Sequence, residues 1–469
     1  MLLIKGGLAI GPDGVAPRDV LIDGETFAAV DERIDPPTGT DVLDAGGAYM
    51  IPGGIDPHTH LDLPVGAVRS ADDFASGTVA AACGGTTCVV DFAGAGRESP
   101  EEALEIWHAR AGVSATIDYG FHLTVTSVPE APDQALALFR SFVEAGVTSV
   151  KLYLAYPDRL MVDAGTLGRA FRAAREARVL VCVHAEDGSE AERRTAAVLA
   201  EGETSPAGHP QARPPEVEAA AIRTAADLAG AEGAAVYVVH LSGAVGLAEV
   251  RAARDRGVAV LAETCPQYLF LTDEALRGAP DDAIDFMCTP PLRTDADREA
   301  LWGALTDGGL QAVSTDHCPF TRADRRRGTS GEGVRDFTQV PGGLPGIETR
   351  VPLLYQGVRD GRLSLERWVE LIAAAPARLF GLSHRKGALE PGLDADVVLF
   401  DPEAEHSLDA SALHMRTDHS PYEGRRVRGW PAVTISRGTI VARDGEPVEV
   451  EPGRGRYVPR RTFRMPRRS

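Results

Sequence analysis

The sequence lacks several features that would place it in a specialised class of protein. Only six of its 469 residues are cysteine, and these are scattered without paired spacing. This arrangement argues against a disulfide framework and indicates reduced thiols, as in a cytoplasmic protein. No apolar run approaches about 18 residues, so we expect no transmembrane helix. The first residues have no basic segment before a long apolar core, which argues against a signal peptide.

Positive charge is also scarce. Lysine and arginine together number 48 against 68 acidic residues, which gives a formal net charge of −20. Because so acidic a surface repels phosphate groups, we expect neither nucleic acid nor an anionic membrane as a partner. Hydrophobic residues make up 44% of the chain, as in ordinary globular proteins, and this excludes a disordered chain.

Short apolar runs separated by turn residues occur at both ends of the chain. They predict one small, discontinuous β-sandwich domain built from residues 1–52 and 385–450. Residues 451–469 form a separate, arginine-rich arm in this interpretation. We expect this arm to dock on an acidic neighbouring subunit, since the rest of the chain is strongly acidic.

The middle of the chain, residues 53–384, alternates apolar runs with alanine-rich helical stretches. Such runs are typical of buried parallel strands connected by helices. The candidate strands are Ile55–Leu61, Thr87–Phe92, Tyr119–Val125, Ser149–Leu154, Leu180–His184, Ala235–Leu241, Ala259–Glu263 and Gln311–Thr315. Eight such units predict a closed (β/α)8 barrel of the α/β class. The alternative, an open doubly wound sheet, would need a glycine-rich phosphate-binding turn after its first strand, and the sequence has none there.

Metal-binding side chains lie at the carboxyl ends of these candidate strands. They are His58, His60, His184, His240 and Asp316. Each residue alone has a structural explanation, because histidines often form core hydrogen bonds and an aspartate after a strand often caps a helix. Barrel active sites form at this face, however, so their coincidence there predicts a metal centre.

Lys151 lies inside an apolar strand, where an unpaired ammonium group would be costly to bury. An ammonium group cannot bind a cation. Carbon dioxide would convert the amine into a carbamate, an anionic oxygen donor able to bridge two cations. The alternative is a lysine that is paired with a carboxylate.

The chain resembles the cyclic amidohydrolases of the amidohydrolase superfamily, typified by dihydropyrimidinase and bacterial hydantoinase. The resemblance spans nearly the whole chain. It rests on GGIDPHTHLD at 53–62, DDF at 72–74, Lys151 with Tyr156, HAE at 184–186, RPPE at 213–216, VHLS at 239–242, ETCPQY at 263–268, PPLR at 290–293 and TDHCP at 315–319.

This resemblance implies metal-dependent hydrolysis of the cyclic amide bond of a dihydropyrimidine or hydantoin, which opens the ring to an N-carbamoyl amino acid. One alternative within the superfamily is an allantoinase or imidase that acts on a related ring. Another is a non-catalytic scaffold of the same fold, but such relatives have lost metal ligands, whereas all six positions here have side chains that can bind a metal.

The resemblance also implies two divalent metal ions per subunit. Zinc is expected, although manganese or cobalt could occupy the same positions. One ion would be bound by His58, His60, N6-carboxylated Lys151 and Asp316, and the other by Lys151, His184 and His240. A hydroxide between the ions would attack the ring carbonyl. Asp316 would transfer the proton to the leaving nitrogen, and the Tyr156 hydroxyl would stabilise the oxyanion.

The same resemblance predicts the substrate class and the assembly. Asp62 stands where dihydroorotase-like enzymes have an arginine that binds a carboxylate, so a neutral cyclic ureide or imide is expected. Thr289 and the backbone around Gly342 would contact the ring. Val65 and Tyr153 would lie in the loops that enclose its substituent. A homo-oligomer, either a tetramer or a dimer, is also expected.

Overall fold

The computed structural model describes residues 1–96 and 98–464. The chain begins with five strands, β1 (Leu2–Gly11), β2 (Gly14–Asp23), β3 (Thr26–Asp31), β4 (Asp41–Asp44) and β5 (Tyr49–Pro52). Apolar side chains of β1, β2 and β5, among them Ile4, Val20 and Met50, pack into a small core of their own. Antiparallel pairing of β1 with β2 and of β2 with β3 gives this region its meander.

Parallel strands form the second sheet. The strands that follow are β6 (Gly54–Thr59), the hairpin β7 (Pro64–Val65) and β8 (Val68–Arg69), and then β9 (Thr86–Ala93), β10 (Asp118–Thr124), β11 (Ser149–Tyr153), β12 (Leu180–His184), β13 (Ala235–Val238), β14 (Ala259–Thr264) and β15 (Ala312–Val313). Strands β6 and β9–β15 pair in chain order. A bridge between Thr59 and His317 joins the first strand to the segment after the last, so the sheet closes.

Four further strands return the chain to the first sheet: β16 (Val397–Ser407), β17 (Arg426–Ser436), β18 (Thr439–Arg443) and β19 (Glu446–Pro447). Strand β5 lies between β1 and β16, so both ends of the chain contribute to one mixed sheet of nine strands. This arrangement confirms the predicted fold, a (β/α)8 barrel with a small β-sandwich domain formed by both chain ends.

Helices alternate with the barrel strands and cover them. Their bounds are α1 (Phe74–Cys83), α2 (Pro100–Gly112), α3 (Pro132–Glu144), α4 (Ala164–Ala177), α5 (Gly188–Ala200), α6 (Gly208–Ala212), α7 (Pro215–Glu232), α8 (Ala244–Asp255), α9 (Pro266–Phe270), α10 (Pro280–Ala283), α11 (Asp295–Thr306), α12 (Arg322–Arg327), α13 (Arg350–Arg359), α14 (Leu365–Val369) and α15 (Ala375–Leu379). None of the described helices is both long enough and apolar enough to span a membrane.

Local sequence explains where several of these elements begin and end. Ser99 and Glu102 form a reciprocal capping box at the start of α2, which satisfies two backbone N–H groups of the first turn. Gly233 ends α7 with a φ of 63°, a conformation that costs glycine little. Every residue of β9 is buried, because the barrel interior covers one face of the strand and helices cover the other.

The arginine-rich arm lies in a different place from the one we expected. Within the described residues, which end at 464, it runs beneath its own barrel along the amino ends of the strands. The Val458 N–H donates to Tyr119 O, and Arg456 pairs with Glu25. Arg460 is buried in the barrel floor. Arg456 and Arg460 therefore bind carboxylate and carbonyl acceptors of their own chain, whereas contact of the exposed Arg461 and Arg464 with a neighbouring subunit stays a prediction. Arg467 and Arg468 lie outside the described residues.

Candidate functional site

A cleft of about 590 Å³ opens at the carboxyl ends of the barrel strands. It contains all the predicted site residues but one. Those that line it are His60, Val65, Lys151, Tyr153, Tyr156, His184, His240, Thr289, Asp316 and Gly342. His58 lies below the surface of the cleft and is fully buried. The fold therefore brings together residues that are up to 284 positions apart (342 − 58) in the sequence.

Two imidazoles and a carboxylate converge at the base of the cleft. His58 Nε2 lies 3.2 Å from His60 Nε2, and these two atoms lie 3.1 and 3.2 Å from Asp316 Oδ1. A zinc ion with ligands at about 2.0–2.2 Å in a tetrahedral arrangement would hold its ligand atoms about 3.3–3.6 Å apart. The three atoms therefore have nearly the spacing that one ion requires.

A second pair of imidazoles lies beside the first group. His184 Nδ1 is 2.9 Å from His240 Nε2, and the ring centroids of His240 and His58 are 5.4 Å apart. Burial is the main cause of the low pKa of these two histidines, and mutual repulsion lowers that of His240 further. Both rings are thus held in the neutral form, which is the form that binds metal.

Lys151 lies near both groups. Its Nζ is 4.4 Å from the ring centroid of Phe92 and 5.1 Å from that of Tyr153. Burial lowers the pKa of the amine to about 8. Within the described part of the chain no carboxylate forms an ion pair with it, so the alternative of a lysine paired with a carboxylate finds no support in the structure.

Two carboxylates that the sequence analysis did not assign orient the histidines from behind. Glu263 Oε1 lies 2.6 Å from His58 Nδ1, and Glu186 Oε2 lies 2.8 Å from His184 Nε2. Carboxylates in this position fix the ring and its tautomer at metal sites. Both glutamates belong to the segments that carried the resemblance, so their location at strand ends was the available clue.

Charges at the base of the cleft keep Asp316 ionised. Burial alone would raise its pKa, but His58 and the hydrogen bonds of both His58 and His60 outweigh this effect and hold the pKa well below its usual range. Burial raises the pKa of Tyr156 to about 12. Its hydroxyl therefore remains protonated at neutral pH and can donate a hydrogen bond into the cleft.

Three residues of the cleft adopt a left-handed backbone conformation that is uncommon outside glycine. The φ angles are 67° at Tyr156, 39° at His240 and 51° at Asp316. Such conformations cost free energy and tend to occur at functional sites. They also explain why β13 and β15 end at Val238 and Val313, before the predicted ends of these strands: the backbone turns there and directs the next polar side chains into the cleft.

The cleft is lined by both polar and apolar residues besides the proposed metal ligands. A Cβ added to Gly342 would lie 3.1 Å from Thr289 Oγ1, so these two residues are immediate neighbours. Val65 and Tyr153 line the cleft, but each is the last residue of a strand, β7 or β11, and does not lie in a loop as predicted. Leu160 and Phe337, which the sequence analysis did not identify, also line it.

The chain is similar in sequence and in fold to known proteins. Residues 49–441 match the model of the amidohydrolase family. A D-hydantoinase of Streptomyces coelicolor is 42% identical over 98% of each chain. The structure of a dihydropyrimidinase from Brevibacillus agri has a TM-score of 0.94 at 42% identity and covers 99% of both chains. A D-hydantoinase structure from a Bacillus species has a TM-score of 0.94 at 41% identity, over 99% of this chain and 100% of that one.

Proposed function

The chain belongs to the amidohydrolase family, as a cyclic amidohydrolase of the hydantoinase and dihydropyrimidinase type, and from this premise we propose that it opens the ring of a neutral hydantoin or dihydropyrimidine. Hydrolysis of the cyclic amide bond would yield an N-carbamoyl amino acid. The observation that supports this proposal best is the convergence of the two groups of metal-binding side chains at the base of one cleft.

The residues present fit a pair of divalent ions. His58, His60 and Asp316 have the spacing of ligands to one ion, and His184 and His240 form a neutral imidazole pair beside them. When bound, two zinc ions would lower the pKa of water towards neutrality and so supply a nucleophile at cellular pH. Glu263 and Glu186 would keep the rings oriented for the ions.

We include N6-carboxylation of Lys151 in the proposal. The amine is buried near both groups without an ion-pair partner among the described residues, and an ammonium there would repel cations. Addition of carbon dioxide to the neutral amine forms an N–C bond, releases one proton and yields a carbamate anion. The carbamate would supply oxygen ligands to the metal ions of both groups.

Asp316 and Tyr156 would handle the proton and the developing charge. The Asp316 carboxylate lies in the cleft and would accept the proton of the attacking water, then deliver it to the leaving ring nitrogen. The protonated Tyr156 hydroxyl would donate a hydrogen bond to the oxygen of the former carbonyl group. Both residues have a left-handed backbone conformation and both line the cleft.

The environment of the cleft favours a substrate ring without charge. Asp62 is not among the residues that line the cleft, and it forms ion pairs with Arg69 at 2.7 Å and with Arg110 at 3.1 Å. Arg213, which lines the cleft, pairs with Glu186 at 2.8 Å. Since Arg213 is neutralised in this way, a ring with N–H and C=O groups fits better than a carboxylate-bearing ring such as dihydroorotate.

A panel of rings tests the proposal. The purified enzyme, loaded with zinc in the presence of bicarbonate, is assayed on hydantoin, 5-substituted hydantoins, dihydrouracil, allantoin and succinimide. We expect ring opening of the first three classes and its loss on chelation. Turnover confined to allantoin or succinimide would instead identify an allantoinase or imidase, and failure to open any ring would favour the scaffold.

The assembly and location of the protein belong to the same proposal. We propose a homo-oligomer, a tetramer or a dimer, in the cytoplasm. Six unpaired, buried cysteines are consistent with a reducing compartment. Light scattering coupled to size-exclusion chromatography measures the mass directly, and a mass near the 49.6 kDa of one chain would contradict the assembly.

A further inference from the structure

A second group of metal-binding side chains lies outside the catalytic cleft. Cys83, Glu348 and His414, here named the Cys83 cluster, have ligand atoms that all lie within 4.8 Å of one another. None of the three lines the cleft. Cys83 is the last residue of α1, Glu348 precedes α13 in the barrel, and His414 lies between β16 and β17. The cluster therefore joins barrel segments to a segment inserted in the β-sandwich domain.

The three side chains already form a compact, mostly buried group. Cys83 and the Glu348 side chain are fully buried, whereas the His414 side chain is 22% exposed. His414 Nδ1 lies 2.8 Å from Glu348 Oε1, and the backbone N–H of His414 donates to Glu348 Oε2 at 2.6 Å. A Cβ added at Gly84 would collide with the backbone of Glu348, so this glycine allows the close approach of the two segments.

The other nitrogen of the His414 ring has the partner that metal-bound histidines usually have. Nε2 lies 3.3 Å from Glu446 Oε2, at the start of β19. Histidines that bind metals commonly donate their second ring N–H to a carboxylate, which fixes the tautomer. With Nε2 used in this way, Nδ1, which now contacts Glu348 Oε1, is the nitrogen from which an ion would displace the proton.

We propose that the Cys83 cluster binds a divalent cation of the zinc type, through Cys83 Sγ, His414 Nδ1 and Glu348 Oε1. Thiolate, imidazole and carboxylate all bind zinc, and water would complete a tetrahedral set at the exposed side of His414. The ion takes the place of the Nδ1 proton and of the thiol proton, so two protons are released as one ion binds. Its role is structural, since it fastens the β-sandwich segment to α1.

A modest rearrangement suffices for binding. Ligand atoms around a tetrahedral zinc lie about 3.3–3.6 Å apart. The Nδ1–Oε1 separation of 2.8 Å must therefore widen slightly, and the wider separations in the cluster, which reach at most 4.8 Å, must contract. His414 lies in a loop and has a partly exposed side chain, so this loop can supply the movement.

Sulfur distinguishes this site from the catalytic centre, whose proposed ligands contain none. The experiment uses the full-length holoenzyme in which cobalt(II) replaces zinc. We expect a thiolate-to-cobalt charge-transfer band in the near ultraviolet, which is lost in Cys83→Ser and retained in Cys88→Ser, a matched substitution of another fully buried cysteine. Elemental analysis should give three metal ions per subunit in the wild type and two in Cys83→Ser, with ring-opening kcat within about twofold of wild type.

Two outcomes of these measurements would overturn the proposal. A band that persists in Cys83→Ser and disappears in Cys318→Ser would place the thiolate ligand at the cleft instead, because Cys318 lines it. Absence of the band, with equal metal content in both proteins, would show that no ion binds the cluster. If Cys83→Ser does not fold, the zinc X-ray absorption spectrum of the wild type tests the proposal instead. The proposal requires a sulfur atom among the zinc ligands, so a spectrum without a sulfur shell would contradict it. The charge-transfer band, the difference in metal content and the sulfur shell do not depend on substrate turnover, so they remain informative if the proposed ring-opening activity fails.

Discussion

Arg460 Nη1 donates a hydrogen bond to Ser149 Oγ at 2.7 Å inside the barrel floor. Ser149 in turn lies 2.6 Å from His122 Nδ1, and His122 Nε2 lies 2.9 Å from the carbonyl oxygen of Pro57. Ser149 is two residues from Lys151, and Pro57 precedes His58. A residue near the carboxyl end of the chain thus supports, through hydrogen bonds, the strands that present the proposed metal ligands.

Loss of this arginine should destabilise the protein. Arg460→Met removes a buried guanidinium and leaves Ser149 Oγ and the carbonyl of Phe121 short of a donor. We expect the free energy of unfolding to fall by about 2–4 kcal/mol, measured by urea denaturation. The neighbouring Arg461→Met, at an exposed position, should change it by less than about 0.5 kcal/mol. Equal effects of the two substitutions would contradict the proposed role.

Removal of the Tyr156 hydroxyl should slow catalysis more than it weakens substrate binding. In Tyr156→Phe we expect kcat for ring opening to fall by about 10²–10³-fold, because one hydrogen-bond donor to the oxyanion is lost. Steady-state kinetics on hydantoin measures this change. Tyr153→Phe is the matched control and should alter KM more than kcat. An unchanged kcat in Tyr156→Phe would exclude the assigned role.

Glu263→Gln should weaken metal binding at the proposed centre without removing a metal ligand. The amide retains the shape of the carboxylate but supports the His58 ring less strongly. We expect metal affinity to fall by about 10–100-fold, with activity restored by excess zinc. Titration with a competing chelator measures the affinity. Glu299→Gln, on the exposed surface of α11, should leave it unchanged.

A larger side chain at position 65 should change substrate preference. Val65 lines the cleft, and phenylalanine there would occupy space that a ring substituent otherwise uses. For Val65→Phe we therefore expect kcat/KM to decline more for 5-benzylhydantoin than for unsubstituted hydantoin. An equal change for every member of a series of 5-substituted hydantoins would show that Val65 does not contact the substituent.

Stability should depend on pH through Glu218. Burial raises the pKa of this carboxyl to about 7, against partial compensation by Arg293 and Ser242. Between about pH 4.5 and 7 the unfolded chain loses the proton while the folded protein retains it, so this group lowers stability as pH rises.

Denaturation at pH 5 and pH 8 tests this effect. From pH 5 to pH 8 the unfolding free energy of the wild type should fall by about 2–3 kcal/mol relative to that of Glu218→Gln. Glu216→Gln, at an exposed position of the same helix, should behave as the wild type does. Parallel pH profiles of wild type and Glu218→Gln would contradict the raised pKa.

Much of the fold and of the cleft followed from local sequence. Continuous apolar runs mark strands that are buried on both faces, and a barrel brings the ends of such strands together. The sequence therefore predicted that His58, His184 and Asp316 would share one face. That Asp316 and His240 adopt left-handed conformations was not predictable, because this depends on the tertiary contacts that enforce it.

The errors and omissions concern contacts between distant segments. The excess of acidic residues suggested a partner subunit for the arginine-rich arm, but acceptors at the barrel floor, such as the Thr116 and Phe121 carbonyls, are visible only once strand ends are placed. Similarly, Cys83 and His414 are separated by most of the chain, and nothing in the local pattern of either residue indicates the other.

The position of β5 between β1 and β16 has a consequence for synthesis of the protein. The ribosome synthesises the first five strands long before residue 397. One edge of β5 therefore lacks its hydrogen-bonding partner until most of the polypeptide has been translated. Exposed strand edges invite association between nascent chains. Premature termination between β5 and β16 would therefore release a product prone to aggregate.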